Sequence, residues 1–508
     1  MNDSLQTPGP TGDRLVKKSL DKDLRRIVRL EDATSALGRR MAAPGLAFLF
    51  LVLVGGIAAF YLAGTPNALM IAMAGVLGGY MALNIGANDV ANNVGPAVGS
   101  RAVTLLGALV IAAIFESAGA LIAGGDVVST ISKGIIDPSL VPDSDTFIWA
   151  MMAALLSAAL WINLATYVGA PVSTTHSVVG GVMGAGIAAV GFGLVNWATM
   201  AKIAASWVIS PLLGGVIAAL FLAFIKITII YQDDKIAAAK RWVPVLLSLM
   251  AAAFSCYLVM KGLKRVWRPD ALSVLAIGVG VFALAMVLTR IWVARKAVGL
   301  ENRNRSLRAL FVLPLVCSAA LLSFAHGAND VANAVGPLAA IVHSSATGDI
   351  AAKVEIPLWV MMVGAAGIVF GLFLFGPKLI HMVGQEITKM NPMRAFCVAL
   401  SAAITVIVAS AMGLPVSSTH IAVGAVFGVG FFREYYTSHS RRRRDYVARV
   451  QSLHNGGSAK EPPNRETVKR RRLVRRSHFM TIIAAWVITV PAAAALAAGI
   501  YGLIYLLK

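Results

Sequence analysis

The chain has 508 residues, of which 58% are hydrophobic and 14% are charged, and its formal net charge is +21 at pH 7. This apolar share is far above that of soluble domains, so the composition excludes a soluble globular protein and indicates an integral membrane protein. The basic runs lie beside apolar segments, which favours a role in topology and anionic-lipid contact over nucleic-acid binding.

Apolar stretches long enough to cross a bilayer recur along the whole chain. We count thirteen candidate segments, some of which are expected to be half-helices. They lie near residues 44–64, 67–85, 102–123, 147–168, 171–193, 201–230, 243–260, 271–294, 307–325, 358–376, 394–413, 415–432 and 480–507. The predicted fold class is therefore all-α, a polytopic transmembrane helical bundle.

The distribution of charge predicts the orientation of the chain. Residues 1–43 hold nine Lys or Arg, and residues 433–478 hold fourteen against four acidic residues, whereas loop 125–146 has four Asp and one Lys. Basic loops stay in the cytoplasm. The segments predicted to be cytoplasmic are 1–43, 231–242, 295–306, 377–393 and 433–479, and those predicted to be outside are 125–146 and 338–357. One basic loop contradicts this rule. It contains Lys261, Lys264, Arg265 and Arg268, yet counting the segments places it on the outer side, and the charge rule does not explain this.

The first polar motif follows the second apolar segment, where residues 86–96 read GANDVANNVGP. On a helix, Asn88 and Asn92 share one face and Asp89 lies one residue round. The glycines and the final proline predict an interruption of the helix, which is tolerated at membrane depth where the backbone lines a cavity. A carboxylate with amide oxygens suits a hard cation such as Na⁺. The alternative is that these side chains only join helices by hydrogen bonds.

Further polar residues accompany the apolar segments. Glu116 lies inside segment 102–123, and a lone intramembrane Glu rarely serves packing, so it is a candidate cation ligand. His176, His326 and His420 flank the motifs, but no second ligand recurs at a zinc spacing. We therefore expect the histidines to cap helices or form hydrogen bonds, and we predict no metal beyond a coupling cation.

The second motif, GAPVSTTH, occupies residues 169–176. Pro171 is expected in the first turn of a helix, followed by the hydroxyl residues Ser173, Thr174 and Thr175. Unpaired N–H groups, the positive end of the helix dipole and three hydroxyl donors together make a site for an oxyanion without Lys or Arg. The alternative is an ordinary Ser or Thr helix cap.

Both motifs recur in the same order, which indicates an internal duplication. GANDVANAVGP occupies residues 327–337, 241 residues after its first copy, and GLPVSSTH occupies residues 413–420, 244 residues after its first copy. The second copy supplies the polar residues Asn329, Asp330, Asn333, Ser417, Ser418 and Thr419.

The two copies are predicted to have opposite orientations. Loop 125–146 of the first copy is expected outside, and its counterpart 377–393 is expected inside. Inverted repeats around a midplane site with broken or re-entrant helices are usual in secondary transporters. The predicted divisions are a basic cytoplasmic arm at 1–43, an additional transmembrane segment at 44–66, a first repeat at 67–230, two spacer helices at 231–306, and a second repeat at 307–507 interrupted by the basic loop 433–479.

The carboxylates also bear on the anion. Phosphate keeps at least one P–OH proton near neutral pH, which a buried carboxylate can accept, whereas sulfate has none and would be repelled unless a cation or proton intervened. A site with Asp89, Asp330 and hydroxyl donors therefore favours phosphate, and sulfate or another tetrahedral oxyanion remains the alternative.

The paired motifs resemble those of the PiT family of inorganic phosphate transporters, over residues 67–507. This resemblance implies a phosphate site between two inverted repeats, coupled to Na⁺ in many members and to H⁺ in others. It implies phosphate contacts from Ser173, Thr174, Thr175, Ser417, Ser418 and Thr419 with Asn92 and Asn333. It implies cation contacts from Asn88, Asp89, Asn329 and Asp330, and Glu116 matches an acidic position of the family. Two departures are Ala399, where members often have Glu, and the additional segment 44–64.

The predicted function is cation-coupled import of inorganic phosphate by alternating access, with Na⁺ favoured over H⁺. The alternatives are an oxyanion symporter for sulfate, an anion channel, which the paired carboxylates disfavour, and a membrane enzyme, for which no phosphate-binding Gly-rich loop or hydrolase cluster is present. The expected partners are phosphate, the coupling cation and lipids, without nucleic acid or cofactor; a homodimer is left open. The expected location is the inner membrane, with the N-terminus cytoplasmic and the C-terminus outside.

Overall fold

The computed structural model describes residues 41–60, 64, 67–168, 172–262, 269–348, 350, 356–382, 390–441, 443–446 and 476–507. Contacts divide the chain into residues 1–49 and residues 50–508, and the described part of the first unit is the beginning of one helix. In the described residues every regular element is helical, apart from an isolated antiparallel bridge between Ile136 and Val195. The all-α prediction is confirmed.

The helices, numbered in chain order, are α1 (Met41–Phe60), α2 (Ala68–Asn88), α3 (Val90–Gly99), α4 (Leu105–Ala123), α5 (Gly125–Lys133), α6 (Ser144–Val168), α7 (Thr174–Val190), α8 (Trp197–Ile225), α9 (Lys235–Gly262), α10 (Ala271–Lys296), α11 (Asn304–Leu310), α12 (Val312–Thr347), α13 (Leu358–Met382), α14 (Pro392–Ala411), α15 (Ser418–His439) and α16 (Arg476–Leu507). Helix α8 continues into a π-helical turn, Lys226–Ile230.

Eleven helices of the described residues are long and apolar enough to cross a membrane, which supports a multi-pass membrane protein. Of the thirteen predicted segments, 171–193 and 415–432 are not among them. Both correspond to helices that begin at a hydroxyl motif, α7 and α15. Helix α7 has 17 residues, the lower end of the range for a spanning helix, so the expectation that some segments are half-helices stays a prediction.

The predicted helix interruption differs between the copies. In the first copy, α2 ends at Asn88 and α3 begins at Val90, so the break is a single residue, Asp89. In the second copy, α12 runs unbroken through the motif and contains Pro337, so the predicted break is wrong there. Proline lacks the N–H that would bond the carbonyl four residues earlier. Each motif proline, Pro96 or Pro337, therefore frees the carbonyl of the motif Asn four residues before it without ending the helix.

The predicted outside loop 125–146 is partly helical, which corrects the prediction that this segment is a loop. Helix α5 buries Val127, Val128 and Ile131 on one face and packs against α12. The helix has only nine residues and charges near both ends, so its apolar face was too short to identify from the sequence.

The two halves exchange packing partners. Helix α2 packs on α13 and α12 packs on α4, while α7 packs on α16 and α15 packs on α8. Each pair joins an element of one predicted repeat to the neighbouring element of the other. Glycines make this possible, since a Cβ on Gly86 would meet the backbone of Ile368 and one on Gly327 would meet the backbone of Glu116. This exchange is consistent with inverted repeats.

The spacer helices explain part of the unexpected basic loop. Helices α9 and α10 pack on each other. At the end of α9, Lys261 Nζ lies 2.5 Å from Asp126 Oδ2, at the beginning of α5. The Lys261 ammonium is therefore at the same end of the molecule as the acidic loop, as segment counting requires, and the Asp126 carboxylate balances its charge. Lys264, Arg265 and Arg268 lie outside the described residues.

Candidate functional site

Local structure places the hydroxyl motifs at helix starts. Gly413 follows α14 with a φ of +68°, a left-handed conformation that favours glycine, and the chain then extends through Pro415 to α15. Ser417 caps α15 by accepting from the His420 N–H at 3.3 Å. Pro415 therefore precedes the cap and is not in the first helical turn, which corrects the prediction; Pro171 lies outside the described residues.

The first copy behaves in the same way. Ser173 Oγ accepts from the His176 N–H at 3.1 Å and caps α7. The two capping serines thus fill the ordinary structural role that the sequence left as an alternative, while Thr174, Thr175, Ser418 and Thr419 extend beyond the caps. All six hydroxyl residues are buried.

Asp89 receives hydroxyl hydrogen bonds from both motif copies. Thr174 Oγ1 donates to Asp89 Oδ2 at 2.6 Å, and Thr419 Oγ1 donates to Asp89 Oδ1 at 3.0 Å. Asp89 is 1% exposed, so the carboxyl lies in the interior between the two copies.

Asp330, the equivalent of Asp89, has different partners. Ser418 Oγ donates to Asp330 Oδ2 at 2.9 Å, and His326 Nε2 lies 2.7 Å from the same oxygen. One ligand atom each from Asp89, His326 and Asp330 fits within 4.8 Å, which makes this buried group a candidate cation site.

The motif asparagines join the copies. Asn92 Nδ2 donates to Thr419 Oγ1 at 2.9 Å, and Asn333 Nδ2 lies 3.3 Å from Thr174 Oγ1 and 3.2 Å from Thr175 Oγ1. Each Asn–Asp motif therefore contacts the hydroxyl motif of the opposite copy. Thr174 and Thr419 each accept from an Asn and donate to Asp89, so in this state their protons are directed at a carboxylate.

Asn88 and Asn329 support the carboxyls. The amide orientation that satisfies the Asn88 side chain has its oxygen accepting from Thr166 Oγ1 at 2.9 Å and its nitrogen donating to Asp89 Oδ1 at 3.3 Å. With its amide assigned in the corresponding way, Asn329 accepts from Ser410 Oγ through its oxygen at 2.8 Å and donates to Asp330 Oδ1 through its nitrogen at 3.0 Å. Sequence reasoning missed Thr166 and Ser410, although these hydroxyl residues stand three positions before the two copies of the second motif and are 244 residues apart, as the copies are.

Glu116 belongs to a separate buried cluster beside Asp330. Asn93 Nδ2 donates to Glu116 Oε1 at 2.8 Å, and His326 Nδ1 lies 2.5 Å from Glu116 Oε2. His326 thus lies between the carboxyls of Glu116 and Asp330, and the expected hydrogen-bonding role of this histidine is confirmed. Among the described residues it is the only basic side chain within ion-pair distance of Asp89, Glu116 or Asp330.

This cluster exists in one half alone. By the motif offset, Ala334 stands at the equivalent of Asn93 and Ile85 at the equivalent of His326. The matched glycine contacts of Gly86 and Gly327 make Ile368 the equivalent of Glu116. Three apolar side chains therefore replace the polar cluster beside Asp89. Ala399, the expected position of a second Glu, is buried on α14 in apolar surroundings.

The other two motif histidines meet across the copies. The rings of His176 and His420 are 4.4 Å apart, edge to face, and His176 also lies 3.8 Å from the Trp207 ring. Both side chains are buried directly after the hydroxyl residues. Their position fits packing at the junction of the motifs.

The chain matches the family described as "Phosphate transporter family" over residues 85–497 and belongs to it. A Helicobacter pylori (strain J99) protein described as "Putative phosphate permease" is 47% identical, with 94% of this chain and 97% of that protein covered. A protein of the same description from Pyrococcus abyssi is 38% identical, covering 70% of this chain and 88% of that protein. The family is one of transporters, so the rejection of an enzyme is confirmed.

A solved structure titled "The sodium-dependent phosphate transporter" has the same fold. It superposes with a TM-score of 0.74 at 34% sequence identity and covers 86% of this chain and all of that chain. The predicted family and the transmembrane helical fold class are therefore confirmed.

Proposed function

We propose that this protein imports inorganic phosphate by cation symport with alternating access. The observation that carries the proposal is a buried group of three carboxyls, Asp89, Glu116 and Asp330, that faces hydroxyls from both motif copies and has one imidazole for balance. Buried charge is costly unless it is paired. A cation or proton that enters with the substrate supplies the missing positive charge, and the family supports phosphate as the substrate.

The proposed phosphate contacts are the hydroxyls and amides that join the two copies. They are Ser173, Thr174, Thr175, Ser417, Ser418 and Thr419, with Asn92 and Asn333. Hydroxyl and helix N-terminal donors bind an oxyanion without a fixed positive charge. A carboxyl nearby can accept the P–OH proton that phosphate keeps and sulfate lacks.

Coupling follows from the direction of the hydroxyl protons. While Thr174 and Thr419 donate to Asp89, their protons are not available to an anion. A cation bound beside Asp89 neutralises the carboxylate and can take both hydroxyl oxygens as ligands, which turns the protons toward phosphate. Cation binding thereby creates anion donors, so the two solutes move together.

We propose Na⁺ as the coupling ion, with Asn88, Asp89, Asn329, Asp330 and Glu116 as the ligand set. The oxygen-rich surroundings of the carboxyls suit a hard monovalent cation, and the solved relative is described as sodium-dependent. Asp89 is the better placed ligand, because His326 already lies against Asp330.

We place the protein in the inner membrane with the N-terminus in the cytoplasm and the C-terminus outside. The ion pair between Lys261 and Asp126 supports the placement of these two segments on one side, as counting requires, and the distribution of basic loops supports the choice of the outer side. The divisions at 1–43, 44–66, 67–230, 231–306 and 307–507 remain part of the proposal.

The proposal is tested by uptake of ³²P-phosphate into proteoliposomes at fixed pH, with external Na⁺ replaced by K⁺ or choline. We expect concentrative uptake only with Na⁺, and competition by arsenate but not by sulfate. Uptake that is undiminished in K⁺ and collapses with a protonophore would show that H⁺ is the coupling ion. Absence of concentrative uptake under every gradient would reject symport.

A further inference from the structure

A second group of charges lies at the end of α8, away from the motifs. Lys226 begins the π-helical turn and is 8% exposed. Its Nζ lies 4.4 Å from the centre of the Tyr436 ring and 5.1 Å from that of Phe432, both on α15. The ammonium is therefore held against aromatic faces at the junction of two helices.

The neighbours of this lysine are also cations. Arg394, at the start of α14, Arg433, near the end of α15, and Arg443 all lie close enough to repel the Lys226 charge. Arg308 acts on Arg394 in the same way. In the described part of the chain, neither Lys226 nor Arg394 forms a salt bridge with a carboxylate.

Two tyrosine rings lie beside this group of cations. Tyr231, at the end of the π-helical turn, stacks on Tyr436 with 5.9 Å between ring centres. Arg443 lies near the Tyr231 side chain and donates to the Thr437 carbonyl at 2.8 Å. Thus α8, α14, α15 and residue 443 bring their positive groups to one place, and a π-helical turn, which is often found at functional sites, positions the lysine.

Contacts with aromatic rings do not balance this charge. A cation–π contact attracts a cation to the face of the ring, but it adds no negative charge to offset the repulsion from the arginines. A phosphate group does, because it carries negative charge and several acceptor oxygens that fit the forked donors of Arg. Basic pockets between transmembrane helices at the cytoplasmic side bind the head groups of anionic lipids in this way.

We propose that Lys226, Arg394 and Arg443 form a binding site for a phosphate group, separate from the transport site. On α14, Arg394 is sixteen residues before Ser410, the partner of Asn329, which corresponds to about 24 Å along the helix. The phosphate group is supplied by the head group of an anionic lipid or by free inorganic phosphate, and the experiment distinguishes these sources.

The experiment compares the full-length wild-type protein with the double variant Lys226→Gln/Arg394→Gln. Lys202→Gln, an exposed lysine on the same helix, is the matched control. Bound phosphatidylglycerol is counted by native mass spectrometry with phosphatidylcholine as the neutral reference. Bound ³²P-phosphate per chain is counted by equilibrium dialysis of the delipidated protein. Gel filtration and circular dichroism verify that the variants are folded.

We expect the double variant to lose affinity for one of the two probes by at least about tenfold, while Lys202→Gln binds both like the wild type. If the double variant binds phosphatidylglycerol more weakly than the wild type, the site binds a lipid head group. Loss of one of two bound phosphates identifies a site for the free ion. Binding of both probes at wild-type affinity by the folded double variant would overturn the proposal. The readout is binding alone, so it does not depend on the transport mechanism.

Discussion

At the scale of single residues, Asp89 and Asp330 have equivalent sequence positions but different surroundings. From the described residues Asp89 accepts hydroxyl and amide hydrogen bonds alone, whereas Asp330 also lies against His326. The charge of each carboxyl is therefore balanced in a different way.

Replacing either motif carboxyl by its amide is expected to abolish concentrative uptake. Asp89→Asn and Asp330→Asn keep the size of the side chain but remove the negative charge that holds the cation. The measurement is ³²P uptake together with the amount of protein in the membrane, and Asp145→Asn, at an exposed position, is the control. Near-normal uptake by either variant would reduce that motif to a packing role.

Thr174 and Thr175 are expected to differ, although they are neighbours. Thr174 bonds Asp89, whereas Thr175 donates to the Val416 carbonyl at 3.1 Å and has no carboxylate partner. Thr175→Ala should raise the phosphate concentration for half-maximal uptake about tenfold at unchanged Na⁺ dependence, since one hydrogen bond to a charged group is worth about 1.5–3 kcal/mol. Thr174→Ala should change both the phosphate concentration and the Na⁺ concentration for half-maximal uptake.

Kinetics at several Na⁺ concentrations separate the two cases, and Thr174→Ser and Thr175→Ser restore each hydroxyl as controls. Replacing Ser173, Thr174 and Thr175 together by alanine should weaken phosphate affinity most. An unchanged half-saturation concentration in the triple variant would remove these residues from the anion site.

Glu116 and His326 are expected to act as a unit. Removing one partner of a buried ion pair is destabilising by about 3–5 kcal/mol, because the other is left without compensation. Glu116→Gln and His326→Asn should each lower the thermal unfolding midpoint, and the double variant should lose less than the two losses combined. Additive losses in this double-mutant cycle would show that the pair is not coupled.

At the scale of helices, close approach of backbones determines the packing. A Cβ on Gly327 would collide with the backbone of Glu116 on α4, while Gly280 on α10 has open space around it. The two positions have the same residue type in a helix but opposite packing requirements.

Gly327→Ala is therefore expected to destabilise the protein by about 1–3 kcal/mol through overpacking. Gly280→Ala should be neutral or slightly stabilising, since alanine favours helix by about 1 kcal/mol. Thermal unfolding in detergent measures both. An equal response of the two variants would contradict the close contact between α12 and α4.

The elements also show how much the sequence could predict. Hydropathy located the spans because each is an apolar run of at least 19 residues, close to what the hydrocarbon core of a bilayer requires, and repetition located Asn88, Asp89 and their equivalents. The sequence could not reveal that Asn92 meets Thr419, because that contact joins residues 327 positions apart through the exchange of packing partners. The cluster of Asn93, Glu116 and His326 was hidden for a second reason: it has no counterpart in the other half.

At the scale of the whole molecule, the loops define two ends. The ion pair of Asp126 and Lys261 marks one end, and the cations around Lys226 mark the other. One of these two ends faces the outside of the cytoplasm, and chemical labelling can determine which end it is.

We expect Ser139→Cys, in a cysteine-free background, to react with a membrane-impermeant maleimide in intact cells. Ala237→Cys, on the predicted cytoplasmic side, should react only after permeabilisation. Both positions are exposed, so differences in access report the membrane side. The reverse pattern would invert the proposed topology.

The one-sided polar cluster has a consequence for the empty carrier. In a transporter made of two inverted halves, a twofold axis in the membrane plane would relate the conformations open to either side, and their free energies would be equal if the halves were chemically identical. Here Glu116, His326 and Asn93 lie beside one carboxyl, and Ile368, Ile85 and Ala334 occupy the equivalent places beside the other. The twofold relation is broken at the centre, so the unloaded protein is expected to rest mostly in one of its two conformations, with the difference in free energy setting their ratio.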